Sequence, residues 1–453
     1  MTDTAITCNA EPVADSAPTD EAQRKSLKWF YLLMGANSAF AICTFGGGLF
    51  PLYLKELGLS SERIGLVIGS IPFMQVLALL SMPLIERLGY RRSYLIFYGS
   101  RKFTILALIL APWVLHTFGD SGLYAFVVAC VLLFGVQRSL GETAFYPWIK
   151  DVVPDTIRGR AHGTAQLFGK LAAALGLVLA GAFVEHHNAL GLDRFGGFQV
   201  GYLFFAAIGL VGIAASTRMA GGHAIERHPE CRPYVHRLLD SARDRRFLKF
   251  LLGAGVLQGS QALVAAFLAL YSRDILDIPS GRIVHLSIGT MLGGAVLSRF
   301  WGHSADRRGS RGVLIRTLAI MAVLPAFWLL LPLLPPFGQL AGVGLSYFVF
   351  GSVHGGAMVA SLRLMYNSIV PGAKKGEYLA LRYAVVGIVA GIMPALAGQS
   401  VGFFADFSPT LFGLPLNPFS PLFLIMIAVW LGTALLFRNI GDDPLVQGNS
   451  RNA

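Results

Sequence analysis

Apolar runs of roughly 20 residues recur along this chain, and that recurrence constrains its fold more than any other feature. Twelve can be marked: 30–54, 63–84, 93–116, 123–148, 161–185, 198–217, 247–273, 282–301, 312–334, 340–366, 378–404 and 419–437. Each is long enough, as a helix, to cross a bilayer core of about 30 Å. The runs are continuous rather than alternating, so they are helices. In lipid only helices and closed barrels pair all their backbone polar groups. Composition agrees, with 54% hydrophobic residues, 14% charged residues and a mean hydropathy of +0.60, against about 25% charged in an ordinary soluble chain. The sequence predicts an all-α membrane protein with twelve transmembrane helices.

Basic residues in the loops set the expected orientation. On one side lie Arg24, Lys25 and Lys28, then Arg87, Arg91 and Arg92, then Lys150, Arg158 and Arg160. An Arg-rich central loop, Arg307, Arg308, Arg311 and Arg316, and Lys374 and Lys375 follow on that same side. The other side carries only Lys55, Arg63, Arg194, Arg273 and Arg282. The expectation is a multi-pass protein of the cell (inner) membrane with both termini cytoplasmic. A net charge of +12 then reflects topogenic bias and contact with anionic lipid, and nucleic acid is not an expected partner. Cys8, Cys43, Cys130 and Cys231 have neither disulfide nor metal-ligand spacing. The first run is no cleaved signal peptide, because a polar, acidic tail precedes it and no small-residue cleavage pattern follows. That tail, residues 1–27, is expected to be disordered.

The longest polar interruption, 218–246, divides the spans six and six. The halves echo each other: "PLIERLGYRR" (83–92) is answered by "HSADRRGSRG" (303–312), and "DVVPDTIRGR" (151–160) by "SIVPGAKKGE" (368–377). An offset of about 217–220 residues indicates an internal duplication, which many transporters share. The expected organisation is a tail (1–27), a six-helix bundle (28–217), a cytoplasmic loop (218–246), a second six-helix bundle (247–438) and a C-terminal tail (439–453).

These loops are where the chain resembles the major facilitator superfamily, over about residues 28–438. That family's loop between the second and third helices reads G-x-x-x-D-R-x-G-x-R/K. The second copy matches it with Gly302, Asp306, Arg307, Gly309 and Arg311. The first departs, with Met82 and Glu86 at the glycine and aspartate positions, but keeps Gly89 and Arg91. Arg138-Ser-Leu-Gly141 is similar to the family's fourth-helix motif, one residue shorter. The fifth-helix Gly-Pro of many proton-linked antiporters is missing from "GKLAAALGLVLAG". The resemblance implies two six-helix bundles that rock about a central site. Independently of it, an acid beside several bases at two helix ends can latch one face shut. Glu86, Gly89, Arg91, Gly302, Asp306, Arg307, Gly309 and Arg311 are therefore gating candidates, the alternative being topogenic charges with turn glycines.

Charges also fall inside the apolar runs. Arg138 and Glu142 are spaced i,i+4 and can pair along one helix face. Arg101, Lys102 and Lys170 lie at a similar depth, roughly 13–17 Å from the cytoplasmic face at 1.5 Å per residue. A charge at the bilayer centre costs about 2.5 kcal/mol or more, so such residues need a partner or a water-filled cavity. Four cations and one carboxylate leave an excess of positive charge, which favours an anionic or zwitterionic solute. Arg suits bidentate grip of carboxylate or phosphate, and Lys supplies a movable point charge. Only one of Arg101 and Lys102 is expected to face the cavity. The other reading of Arg138 and Glu142 is a purely structural ion pair. Glu142 and His354 are candidate proton carriers, with a packing role the alternative for His354. Asn37, Gln75, Gln258 and Gln261 are polar candidates for the cavity wall or for interhelical hydrogen bonds.

The expected function is a secondary active transporter working by alternating access as a monomer, its partners a small-molecule substrate, protons where transport is proton-linked, and the lipid bilayer. Two alternatives are a non-transporting receptor, assembly factor or lipid-handling scaffold of the same fold, and a drug or metabolite efflux pump. Catalysis and cofactors are not expected: the chain has no HExxH, GxSxG, Walker loop or paired His/Cys ligands, and "GDSG" at 119–122 lies in a short turn.

Overall fold

The computed structural model describes residues 18–154, 157–222, 242–365, 369, 375–411 and 414–441. Among the described residues it is helical apart from a two-residue antiparallel ladder, Thr410–Leu411 with Leu414–Pro415. The first half contains α1 (Asp20–Cys43), α2 (Leu49–Glu56), α3 (Ser61–Phe73), α4 (Ser81–Leu88), α5 (Tyr90–Ser93), α6 (Gly99–Ala107), α7 (Ala111–Val152), α8 (Arg158–Glu185) and α9 (Gly196–Ser216). The second contains α10 (Arg245–Asp274), α11 (Ser280–Leu286), α12 (Ile288–Val296), α13 (Ser298–Arg308), α14 (Ser310–Leu330), α15 (Pro336–Leu364), α16 (Lys375–Phe403) and α17 (Ser420–Arg438).

Each of the twelve apolar runs is helical over most of its described length. Among the described residues, nine stretches are long and apolar enough to cross a membrane. One of them, Tyr90–Val152, has 63 residues and turns back at Gly119 (φ 64°, ψ −169°), a conformation open to glycine. Its second part returns along α5 and α6, so it contains two runs. The first and eighth runs are broken. Between α1 and α2, Thr44 leaves helical geometry at φ −116° and ψ −100°. A Cβ on Gly46 would meet the Ala41 carbonyl oxygen at 2.7 Å, so "TFGGG" is built for this break. The eighth run divides at Ser287 and Leu297. Non-helical backbone at membrane depth is tolerated where protein buries it or a cavity abuts it.

The tails differ from expectation in one respect. Helix α1 already begins at Asp20, capped by the Thr19 hydroxyl, which accepts from the Ala22 N–H at 3.4 Å. Residues 1–17, most of the central loop (223–241) and residues 442–453 lie outside the described residues. After the loop, the Asp244 carboxylate caps α10, accepting from the N–H groups of Arg246 and Phe247 at 3.0 Å each.

The duplication is visible in the backbone. Gly89 joins α4 to α5 at φ 79° and ψ 162°. Gly309 joins α13 to α14 at φ 79° and ψ 154°. Both lie in the positive-φ region that favours glycine, which accounts for their recurrence at equivalent places. Within the first half α1 packs on α8 and α9; within the second α12 packs on α15, and α14 on α15 and α17. The halves meet where α3 packs on α16, α8 on α11 and α12, and α2 on α10. Small residues permit this approach: a Cβ on Gly65 would lie 2.8 Å from the Gly398 Cα, and one on Gly391 2.8 Å from the Phe73 Cβ. With little hydrophobic driving force inside lipid, such close backbone packing is a main source of helix association.

Candidate functional site

Between the halves lies a cavity of about 360 Å³, walled by residues from both. The first half contributes the α1–α2 break (Gly46, Gly47, Pro51), Ser38, Gln75, Tyr98, Arg101, Arg138, Gln166 and Lys170; the second contributes Gln258, Gln261, three alanines of α10 and Met291. Among the described residues three cations line it, and no Asp or Glu does. The charge is one-sided, since every cation comes from the first half while the second supplies amides and small apolar groups.

Each cation is held differently. Arg138 donates from Nε to Glu142 Oε2 at 3.1 Å, with the two side chains 28% and 20% exposed. The predicted i,i+4 pair is therefore formed, and Arg138 reaches the cavity wall as well. Arg101 is 2% exposed. Its guanidinium lies 3.4 Å from the centre of the Tyr98 ring and donates to Asn37 Oδ1, while its buried Nε has no hydrogen-bond partner. Gly141 makes this possible: a Cβ there would come within 2.9 Å of the Tyr98 backbone nitrogen. The glycine of Arg138-Ser-Leu-Gly141 thus seats the aromatic ring on which Arg101 stacks.

Lys102 points elsewhere. Its ammonium sits 3.4 Å from the Phe40 ring centre and 3.4 Å from Asn37 Oδ1. Gly209 leaves room for its stem, since a Cβ there would lie 2.9 Å from Lys102 Cδ. Of the adjacent pair, Arg101 lines the cavity and Lys102 packs into the first half, 1% exposed. Lys170 reaches across the halves and donates to the Gly294 carbonyl at 2.8 Å. That oxygen lies in the last turn of α12, where helix carbonyls lack intrahelical partners and the dipole favours a cation.

The polar candidates divide. Gln75, Gln258 and Gln261 line the cavity, and Asn37 instead receives Arg101 and Lys102. Gln166, Tyr98 and Ser38 are additional wall residues. Gln166 and Lys170 are i,i+4 on α8, a spacing that signals a shared face. His354 is placed in packing: Nε2 lies 3.0 Å from the Leu257 carbonyl, the ring stacks on Phe350, and it is 7% exposed.

The loop candidates lie away from the cavity. Arg91 donates from its guanidinium to the Thr217 carbonyl, and its backbone N–H donates to the Gly222 carbonyl at 3.0 Å. It ties the start of the third span to the end of the sixth, within one half. Arg307 is exposed, and Arg311 is half-buried at the start of α14. A Cβ on Gly302 would meet nothing within 4 Å. The side chains of Glu86 and Asp306 lie outside what the structure describes.

Ion pairs bridge the halves at the opposite end. Arg273 Nη2 meets Glu56 Oε1 at 2.8 Å, and Lys55 Nζ meets Asp274 Oδ2 at 2.8 Å. Arg282 Nε lies 3.5 Å from Glu185 Oε1. Sequence alone made Lys55, Arg273 and Arg282 minor topogenic charges. The signal for more was an acid beside each basic residue in "LKEL" and "SRDI".

Solved structures of the same fold include a mutant form of a nucleoside transporter, NupG (TM-score 0.64, 15% identity, 92% of this chain and 99% of that one). A D-xylose-proton symporter matches with TM-score 0.61 and 14% identity over 94% of this chain and 99% of that one. A POT family transporter in complex with a thioalcohol-conjugated peptide matches with TM-score 0.65 and 11% identity over 91% and 95%. No curated protein matches the sequence. The family model described as Major Facilitator Superfamily matches residues 32–394, and with two helical bundles around a shared cavity the chain belongs to that superfamily of membrane transporters.

Proposed function

We propose that this protein is a secondary transporter for a small anionic or zwitterionic solute. The observation that carries this reading is the cavity wall, with Arg101, Arg138 and Lys170 and, among the described residues, no carboxylate. Fixed positive charge facing a low-dielectric cleft concentrates anions there. The similar structures carry different names, a nucleoside transporter, a D-xylose-proton symporter and a peptide-bound transporter. The fold therefore does not select the solute, and the lining residues must.

In this mechanism Arg138 grips the anionic group with its planar fork and Arg101, stacked on Tyr98, adds positive field. The glutamines of α10 hold the neutral part of the solute. With the basic loops cytoplasmic, the bridging ion pairs seal the outer face, and the cavity belongs to the cytoplasm-facing state. Rocking of the halves would open it outward. Where transport is proton-linked, Glu142 is the carrier this geometry favours, because protonating it releases Arg138 toward the solute.

Two other readings have less support. A pure scaffold has no need to carry the cost of three cations at membrane depth. An efflux pump shares the site and differs only in direction. Purified protein in proteoliposomes, given labelled solutes of similar size bearing a carboxylate, an ammonium or no charge, tests the proposal. Uptake confined to the anionic and zwitterionic members is expected. Transport of the cationic member alone would overturn it.

A further inference from the structure

His285, on α11 at the end opposite the basic loops, lies between the halves with no role in the cavity. Its Nδ1 is 3.3 Å from Glu185 Oε2, and its Nε2 is 3.0 Å from the Val178 carbonyl, both on α8 of the other half. The ring fills a notch at Gly181, where a Cβ would come within 2.5 Å of ring atoms Cδ2 and Nε2. Both nitrogens thus face oxygens that only accept. A neutral imidazole has one N–H, and the imidazolium has two. Only the protonated ring donates to both acceptors at once.

We propose that His285 is a proton-binding site formed between the halves, and that its proton closes this face of the transporter. When the halves part, the ring loses both acceptors together. The protonated ring makes one more hydrogen bond across the halves than the neutral ring can, so protonation favours closure. Low pH on this side closes the face, and rising pH opens it. The side chain is 32% exposed, so protons reach it from the compartment it faces.

His285 is set apart from the charges around it by having both ring nitrogens against acceptors of the other half. On α8, Glu185 is shared between His285 and Arg282. His186 and His187 turn Nδ1 to carbonyls of their own helix, Ala182 at 3.2 Å and Val184 at 2.9 Å. On α2 and α10, Lys55 is paired with Asp274 and Glu56 with Arg273. Glu56 also accepts from the Ser280 hydroxyl at 3.3 Å. Helix α12 and the adjoining part of α15 carry no charged side chain.

The test uses the full chain in lipid nanodiscs without substrate, so it stands or falls independently of the anion site. Spin labels at Ala189 in the first half and Phe337 in the second, both exposed, report the separation of this face by pulsed EPR between about pH 5 and 8. A single short distance is expected at the acidic end, with a longer population growing toward the alkaline end. His285→Gln should remove the pH response. Gly181→Ala is the sharper variant, because it keeps every titratable group and favours helix while evicting the ring. It too should flatten the response and enlarge the long-distance population, with thermal unfolding confirming that both variants fold. A distance independent of pH in the parent, or a parent-like response in both variants, would overturn the proposal.

Discussion

Adjacent Arg101 and Lys102 show how two cations in one helix turn acquire opposite assignments. The depth of both was legible from their distance to the helix end. Which one faces the cavity was not, because it is decided by Tyr98, Phe40, Asn37 and Gly209, and Asn37, Phe40 and Gly209 belong to other helices. Lys102 is buried without a carboxylate partner, with its ammonium on the Phe40 ring. Burying a charge without an opposite partner is costly. Lys102→Met is therefore expected to leave solute affinity within about twofold and the unfolding temperature unchanged or raised. Arg101→Met, which strips a cation from the cavity wall, should lower affinity at least tenfold, or about 1.4 kcal/mol. Equal losses of affinity in the two variants would contradict this division.

Among the elements, the long apolar runs were readable from hydropathy alone, and each is helical over most of its described length. The fracture of the eighth run was not, because "SIGTMLGGAVL" contains neither a proline nor a charge. Its cause is external: Gly289 and Gly293 press against the backbone of α15, and a Cβ on Gly289 would lie 3.0 Å from the Gly344 carbonyl oxygen. Glycines in this chain divide by what surrounds them. Gly391→Val puts a branched side chain against Phe73 and the α3 backbone. It is expected to cost roughly 1–3 kcal/mol by overpacking, read as a lower unfolding temperature. Gly302→Ala faces open space and should stay within about 0.5 kcal/mol of the parent, although Gly302 belongs to the loop motif. Gly89→Val and Gly309→Val force a β-branched residue to positive φ and should each cost on the order of 1–3 kcal/mol.

For the whole molecule, the two ends are built on different principles. At the basic end Arg91 is tied within its own half, while at the other end Lys55, Arg273 and Arg282 are paired across the halves. The sequence suggested a latch in the basic loops because their motif recurs. The bridging pairs were hidden because Glu56 and Arg273 stand 217 residues apart, and only the packing of α2 on α10 brings them together. Partly exposed ion pairs are worth roughly 0–1 kcal/mol each, enough to bias a rocking equilibrium severalfold without locking it. Glu56→Gln removes the charge that receives Arg273 and is expected to raise thiol labelling of cysteines placed in the cavity, with reagent added from that end, by about two- to fivefold. Unchanged labelling would assign the seal to glycine packing alone.

The most direct measurement compares solute binding by the purified parent and its Arg138→Lys variant across one set of solutes that differ only in charge. Lysine keeps the positive charge beside Glu142 but loses the planar fork. The parent is expected to be stabilised thermally by the anionic and zwitterionic solutes and not by the cationic or neutral ones. Arg138→Lys should unfold at the parent's temperature and lose at least tenfold in anion affinity. Unchanged affinity in Arg138→Lys, or stabilisation of the parent by cations instead, would reduce Arg138 and Glu142 to a structural ion pair.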